Sequence, residues 1–413
     1  MKRILKDNIS STLPETPFTF HAQLQMSGDK NKFLGNISPE NFLKEYWQKQ
    51  PCLIRQAFPD FNCPLGADEL AGLACEDGIR SRLVLEKDGD YPWQVKHGPF
   101  TESDFKSLPD THWSLLVQDV NQHVPEIAAL LQHFCFIPFW RIDDIMISYA
   151  AEQGSVGPHL DSYDVFLLQG TGKRQWQINP DDYSEDDFIP DLDLRILKHF
   201  QSKQDWMLEP GDMLYLPPGV AHLGIAVEPC LTLSIGFLAP SRSELITNFI
   251  DDSLANSPHG IRYSDPDLKI QQHPGEISKQ SLEKIRHMMA SALADTAGID
   301  HWFGKYITRM QTGPVPVNET RLDPAAFKSC FMEKEILHRN DYCRSAFIQH
   351  DNKITLFING EEYPLPKELL FAAKLITEQR RIDFRTFENH PLLNEILVIL
   401  CELYNQDIYY FEG

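Results

Sequence analysis

Gly157-Pro158-His159-Leu160-Asp161-Ser162-Tyr163, running into Asp164-Val165-Phe166-Leu167-Leu168, is the stretch on which the reading of this chain turns. It contains His-x-Asp. In an extended chain the side chains at i and i+2 share a face. The imidazole of His159 and the carboxylate of Asp161 then point the same way. Two ligands of a facial two-histidine, one-carboxylate iron site need that arrangement; the third comes from elsewhere and three positions stay open. The tripeptide alone is a weak signal, since His and Asp are common on surfaces. A second segment strengthens it: Glu209-Pro210-Gly211-Asp212-Met213-Leu214-Tyr215-Leu216-Pro217-Pro218-Gly219-Val220-Ala221-His222. There a turn, an apolar strand and a Pro-Pro-Gly turn deliver another histidine.

The segments around these two read as short strands. Asp143–Ala151 alternates, with Asp144, Met146, Ser148 and Ala150 on one face and Asp143, Ile145, Ile147 and Tyr149 on the other. Such a polar-lined face is either a pocket wall or the solvent side of an ordinary strand, and the pattern allows both. Asp164–Leu168 and Lys173–Ile178, joined by Gln169-Gly170-Thr171-Gly172, read as a hairpin. On the second of these strands Arg174, Trp176 and Ile178 share a face. An arginine there either snorkels to the edge or waits, buried, for a carboxylate that its planar fork suits. Asp181–Asp193 is an acidic, proline-bearing loop. Asp212–Leu216 and Cys230–Phe237 are further strands, and Thr232, Ser234 and Gly236 face one way on the second. Many short strands with turn signals predict a double-stranded β-helix, a jelly-roll barrel with the site in its mouth.

Helices flank the barrel. Ser38-Pro39-Glu40-Asn41-Phe42-Leu43 has a helix start, with Ser at the N-cap and Pro at the first helical position, and the helix runs to about Gln50. Cys52 lies in a short strand, Ala67–Cys75 in a helix, Ser81–Leu85 in a strand and Asp119–Phe134 in a helix. After Pro240 the character changes. Ser241–Ala255 and Ile277–Ala297 are helical, and Leu282, Ile285, Met289 and Leu293 form an apolar stripe at helical spacing, either core or an oligomer seam. Helices over Asp323–Glu333, Lys367–Glu378 and Pro391–Leu403 surround a hairpin, Ala346–Ile348 with Lys353–Phe357. Helices plus a two-stranded wing read as a winged-helix unit.

Bulk properties narrow the classes. A chain of 413 residues suggests two or three domains. The formal net charge of −21 argues against a direct nucleic-acid ligand and for a basic partner. It also turns the winged helix from DNA binding toward a structural or protein-binding role. Eight cysteines without a Cys-x-x-Cys pair fit a reducing, cytoplasmic setting. No apolar run is long enough for a membrane span. Residues 1–32 lack an apolar signal-peptide core and read as a loose extension, with Met26 as a second candidate start.

Three segments together resemble the Jumonji-C family of iron(II)- and 2-oxoglutarate-dependent oxygenases: Phe42-Leu43-Lys44-Glu45-Tyr46-Trp47-Gln48-Lys49-Gln50-Pro51, the run from Gly157 to Gln175, and the run from Pro210 to His222. Within that family the chain is similar, from about residue 33 onward, to the bacterial ribosomal oxygenases, which hydroxylate an arginine of a large-subunit (50S) ribosomal protein. The resemblance implies a mixed α+β chain: a cupin-like barrel over 33–240, a helical dimerisation region over 241–305 and a winged-helix domain over 306–413. It implies His159, Asp161 and His222 as ligands of Fe(II), and Arg174, assisted by Ser148, as the partner of the distal carboxylate of 2-oxoglutarate. For the substrate it implies Asp144 and Ser234 as polar contacts to a guanidinium, with Met146 and Tyr163 along its alkyl stem. The implied reaction is hydroxylation by O2 coupled to decarboxylation of 2-oxoglutarate to succinate, in a homodimer. The alternatives are a related histidine hydroxylase or lysine demethylase, a non-catalytic cupin-type sensor and a cupin-type metal-dependent isomerase. Asp144 has its own alternative, an internal ion pair with Arg141 or Arg174.

Overall fold

The computed structural model describes residues 32–412 apart from 87–92, 191, 193, 257–261, 271–272, 274, 293–295 and 310–316. The extension read over 1–32, but for its last residue, and Leu293 of the apolar stripe lie outside the described residues. The described chain divides between Ala239 and Pro240 into two compact units.

The first unit carries eleven described strands: β1 (Cys52–Ile54), β2 (Ser81–Glu86), β3 (Trp93–His97), β4 (Trp113–Val117), β5 (Ile142–Ala150), β6 (Asp164–Thr171), β7 (Arg174–Asn179), β8 (Gln204–Leu208), β9 (Met213–Leu216), β10 (Ala221–Ala226) and β11 (Cys230–Phe237). They form a large antiparallel sheet in the order β1-β9-β6-β11-β5-β4-β2-β3 and a small one in the order β10-β7-β8. This is the expected double-stranded β-helix. Alternation along β6 shows how the layers separate. Val165 and Leu167 point between the sheets, against Trp176, Ile178 and Leu208 of the small sheet. Phe166 and Leu168 point the other way, into a core with Phe42, Phe134, Tyr215 and Phe237. Both faces of β6 are therefore buried, which is why it reads as an almost unbroken apolar run.

The start of the first long helix is where the sequence puts it. Ser38 caps Pro39–Glu45, its hydroxyl accepting from the Asn41 N–H, and the helix presents Phe42 to the core. Full burial of that ring contributes about 1.5–3 kcal/mol. The helix stops five residues short of Gln50. The expected helix over Asp119–Phe134 breaks into Val120–His123, Pro125–Ala129 and a 3-10 turn at Leu130–Phe134. Pro125 lacks the N–H that a continuous helix would use.

The expected hairpin between Asp164 and Ile178 is absent. β6 pairs with β9 and β11, whereas β7 pairs with β8 and β10. The chain turns at Gly172, with φ of 63°, where a Cβ would lie 2.3 Å from the Pro229 carbonyl oxygen. Hairpin turns and sheet-to-sheet crossovers both use left-handed glycines, so local sequence cannot separate them.

In the second unit, helices Arg242–Asn256, Lys279–Ala292 and Thr296–Thr308 precede the winged helix. Its core gathers Phe327, Phe331, Leu356, Ile376, Leu400 and Tyr409. The wing is three-stranded, not two-stranded: Ser345–Gln349, Lys353–Ile358 and Glu361–Pro366. The third strand carries Pro364 and Pro366, which an edge strand tolerates and which hide it from pattern reading. On the preceding helices Leu282, Ile285 and Met289 are exposed, as are Ile246, Ile250 and Leu254.

A buried polar cluster joins four segments of the barrel unit. Asp164, wholly inaccessible, accepts from Tyr215 Oη at 2.6 Å, Gln48 Nε2 at 2.9 Å and Arg141 Nη2 at 3.1 Å. Asp164→Ala strands the Arg141 guanidinium in a largely desolvated position, and loss of one partner of a buried pair costs about 3–5 kcal/mol. The expected result is a clear fall in the urea midpoint, with a smaller fall for Asp164→Asn. An unchanged midpoint for the alanine variant would contradict this role.

Candidate active site

His159 and His222 are clamped together by reciprocal backbone bonds. His159 N donates to His222 O at 3.0 Å, and His222 N donates to His159 O at 2.8 Å. The pair is an isolated bridge, so His159 precedes β6 without being part of a regular strand. Asp161 is held next to them because its carbonyl accepts the Gly219 N–H at 2.8 Å. Gly219 has φ of 82°, the left-handed conformation that lets Pro217-Pro218-Gly219 reverse the chain into β10. Each imidazole bonds through Nδ1 to a carbonyl two residues earlier, His159 to Gly157 at 2.9 Å and His222 to Val220 at 3.0 Å. That leaves Nε2 as the lone-pair nitrogen on both rings.

One donor atom from each of His159, Asp161 and His222 lies within 4.8 Å of the others, and this is the one such three-residue group among the described residues. Burial, aided by the neighbouring His159, pushes the His222 imidazole down to about 4. The ring is therefore neutral near pH 7, the form that binds metal. Two imidazoles and one carboxylate fit a ferrous ion that keeps positions open.

Arg174 sits in the same lumen, and it does not snorkel. The residue is 2% exposed. Nη1 donates to Ser148 Oγ at 3.3 Å and to Thr232 Oγ1 at 3.4 Å, and Nη2 donates to the Gly224 carbonyl at 3.3 Å. The guanidinium lies over the Trp176 ring at 4.9 Å, and Trp176 in turn lies 5.8 Å from the His222 ring. A Cβ on Gly224 would come within 2.6 Å of Arg174 Nε and 2.8 Å of the indole, so this packing requires glycine. Burial pushes the guanidinium pKa down, and no carboxylate among the described residues offsets it. Nε is buried and has no hydrogen-bond partner among the described residues. A desolvated cation held only by neutral groups is the physical signature of an anion site.

β5 and β11 build a three-rung ladder on the same inner face. Ser148 stands opposite Thr232, and Met146 stands opposite Ser234. Asp144 then meets Gly236 at a bulge, where a glycine Cβ would lie 3.5 Å from Asp144 Oδ1. Successive rungs are about 7 Å apart, so the ladder spans about 14 Å from the Arg174 end to Asp144. Tyr163, 38% exposed, lies close enough to Asp161 and Asp144 for both to raise its phenol, after burial.

Asp144 pairs with neither Arg141 nor Arg174. Arg141 engages Asp164, and Arg174 its hydroxyls. Asp144 Oδ2 accepts instead from the Asp119 N–H at 3.0 Å. Asp119 holds a left-handed backbone, φ of 56°, and binds Arg80 at 2.6 Å. Burial, with Asp119 and Asp143 alongside, pushes the Asp144 carboxyl up to about 7 despite that N–H and Arg80. Oδ1 takes no hydrogen bond from a described residue. Thr232, Trp176, Gln169 and Gly224 received no role in the sequence reading. Thr232 and Trp176 could have been found as inward-facing neighbours of Ser234 and Arg174 at i±2; nothing local marks Gly224.

A family model described as a JmjC domain matches residues 129–245, and one described as a ROXA-like winged helix matches residues 291–410. The chain is 37% identical over 374 residues to the ribosomal protein uL16 3-hydroxylase of Escherichia coli K12, covering 90% of this chain and 97% of that protein. It is 33% identical to a probable ribosomal oxygenase of Haemophilus influenzae, over 79% of this chain and 82% of that one. The X-ray structure of E. coli YcfD matches with a TM-score of 0.81 at 36% identity, across 91% of this chain and 99% of YcfD. YcfD in complex with cobalt and 2-oxoglutarate matches with a TM-score of 0.78 at 35% identity, across 91% and 98%.

The donor set predicts that the protein binds one divalent transition metal. Asp161→Ala, which removes the carboxylate, should weaken Co(II) binding on the order of a hundredfold or more in calorimetry. Wild-type affinity in that variant would show that the metal sits elsewhere.

Proposed function

This chain belongs to the JmjC-domain ribosomal oxygenases, which are 2-oxoglutarate-dependent enzymes, and we propose that it hydroxylates an arginine side chain of a 50S ribosomal protein in the cytoplasm. The E. coli relative acts on uL16, and uL16 is the first substrate to test. The observation that carries the reading is the ladder. An acid-free arginine lies at one end, a half-satisfied carboxylate at the other, and a His-Asp-His cluster joins the same lumen.

In this reading His159, Asp161 and His222 hold Fe(II), and Arg174 with Ser148 receives the distal carboxylate of 2-oxoglutarate. Iron, the oxoacid and O2, when bound, supply the oxidising power that puts a hydroxyl on an aliphatic carbon. The chain's own share is placement. The reciprocal His159–His222 backbone bonds and the two Nδ1 anchors fix both imidazoles before metal arrives. Trp176 covers one face of the Arg174 guanidinium and packs beside His222. At the other end Asp144 Oδ1 takes no hydrogen bond from a described residue, and the Gly236 opposite adds no side chain beside it. A guanidinium offers a carboxylate parallel donors in a plane, which an ammonium cannot match. In this reading Met146, Ser234 and Tyr163 line the methylenes of the substrate side chain. The chain's net charge of −21 favours approach of a basic ribosomal protein.

The dimer belongs to the same reading. Leu282, Ile285 and Met289, with Ile246, Ile250 and Leu254, expose apolar surface that a second copy would cover, and two-fold dimers are the commonest assembly. No direct role with nucleic acid is proposed for the winged helix.

Two tests follow. A carboxyl raised to about 7 is protonated below that pH and ionised above it. A bound cation favours the ionised form, so affinity for an arginine-bearing uL16 peptide should rise as pH climbs through about 7 and then level off. Asp144→Asn should bind about tenfold or more weakly and flatten that profile. Equal turnover of peptides with lysine or histidine in place of the arginine would refute the assignment. Separately, Ile285→Glu with Met289→Lys should move the light-scattering mass to that of one chain; a monomeric wild type at micromolar concentration would end the dimer proposal.

A further inference from the structure

Gln169 is a fully buried amide on β6, facing the lumen at i+2 from Leu167 and i+4 from Val165. A primary amide in such a place is unfavourable unless each of its groups has a partner. All of them do. Nε2 donates to the Thr171 carbonyl at 2.9 Å and to the Gly172 carbonyl at 3.4 Å. With the NH2 so committed, Oε1 can only accept, and it takes the Thr232 hydroxyl proton at 3.2 Å. Thr232 Oγ1 then shows lone pairs to Arg174 Nη1, 3.4 Å away. Ser148 behaves alike: its hydroxyl donates to the Thr232 carbonyl at 3.5 Å, which leaves lone pairs for the same Nη1 at 3.3 Å.

A guanidinium carries five N–H groups. Nη1 gives two to the hydroxyls and Nη2 gives one to Gly224, so Nε and one Nη2 hydrogen are left without an acceptor among the described residues. If Thr232 turned its own hydrogen toward Arg174, that side of the guanidinium would meet a donor. The local fold supports the chain of bonds. Strand pairing between β6 and β11 slips between Leu231 and Thr232, so Thr232 faces Gln169 while Leu231 faces Thr171 and Gly170 drops out of register. A Cβ on Gly170 would lie 2.9 Å from Leu233 Cδ1 and 3.2 Å from the Leu231 carbonyl oxygen. Bulges of this kind re-aim a side chain next to a site.

We propose that Gln169 and Thr232 form a directional hydrogen-bond relay that presets Arg174 for the distal carboxylate of 2-oxoglutarate. They are positioning residues: Gln169 reaches the cosubstrate only through Thr232 and Arg174. The inference rests on the reading of Arg174 as the oxoacid anchor.

The test titrates 2-oxoglutarate into Co(II)-loaded full-length protein by calorimetry, with cobalt affinity measured separately. Thr232→Val keeps the shape of the side chain and deletes the hydroxyl; Thr232→Ser restores it. Thr232→Val and Gln169→Leu should each weaken 2-oxoglutarate binding about five- to tenfold, and cobalt binding should not change. Thr232→Ser should bind within about twofold of wild type. Because the two residues act in series, the double variant should lose no more than about twofold beyond either single one. Arg174→Ala is the reference and should bind the oxoacid far more weakly than any of them. If Arg174→Ala loses binding while Thr232→Val and Gln169→Leu keep wild-type affinity, the relay is overturned and the Arg174 assignment stands. Wild-type affinity in Arg174→Ala overturns the assignment, and the relay with it.

Discussion

One uncompensated positive charge organises the barrel. Taking a guanidinium out of water is costly, and no carboxylate meets Arg174 among the described residues. The molecule meets that cost with distributed neutral groups. β5 contributes the Ser148 hydroxyl, β11 the Thr232 hydroxyl, β10 the Gly224 carbonyl and β7 the Trp176 ring. These strands belong to both sheets, so closing the barrel and shaping the anion site are one event. An acid placed beside Arg174 would relieve the desolvation and fill the site, so the charge is useful only while it stays without one.

The division of faces in the large sheet serves the same end. On β6 and β11 one set of alternate residues packs an aromatic core outside the barrel, and the other set looks into the lumen. The outer set is Phe, Leu and Ile, which makes the wall stiff. The inner set is mixed: Val165 and Leu167 are apolar, whereas Gln169, Thr232 and Ser234 are polar. Rigidity and chemistry are thus separated by a single residue step along each strand. Asp164 and its three donors lock the strand starts that carry this arrangement.

Much of this was legible in local pattern. The His-x-Asp spacing, the Pro-Pro-Gly turn before His222, the alternation of Asp144, Met146 and Ser148, and the cap at Ser38 are short-range features with short-range physical causes. The misreadings share a cause as well. The turn at Gly172 looks like a hairpin turn, because backbone handedness is local and sheet membership is not. The break at Pro125 was visible in principle, since the missing N–H is a property of that residue alone. Pro364 and Pro366 hid an edge strand whose pairing asks little of their nitrogens.

The sequence by itself determined which residues alternate, where turns fall and which side chains are chemically able to hold a metal, an oxoacid or a cation. Each of these depends on neighbours a few positions away. Tertiary structure decided what those side chains meet. The bond from the Asp119 N–H to Asp144 spans 25 positions, and that from Arg174 to Thr232 spans 58. Whether a buried arginine finds an acid or a hydroxyl, and whether an aspartate keeps one oxygen open, depends on strand pairing and register, which are set only when distant segments pack.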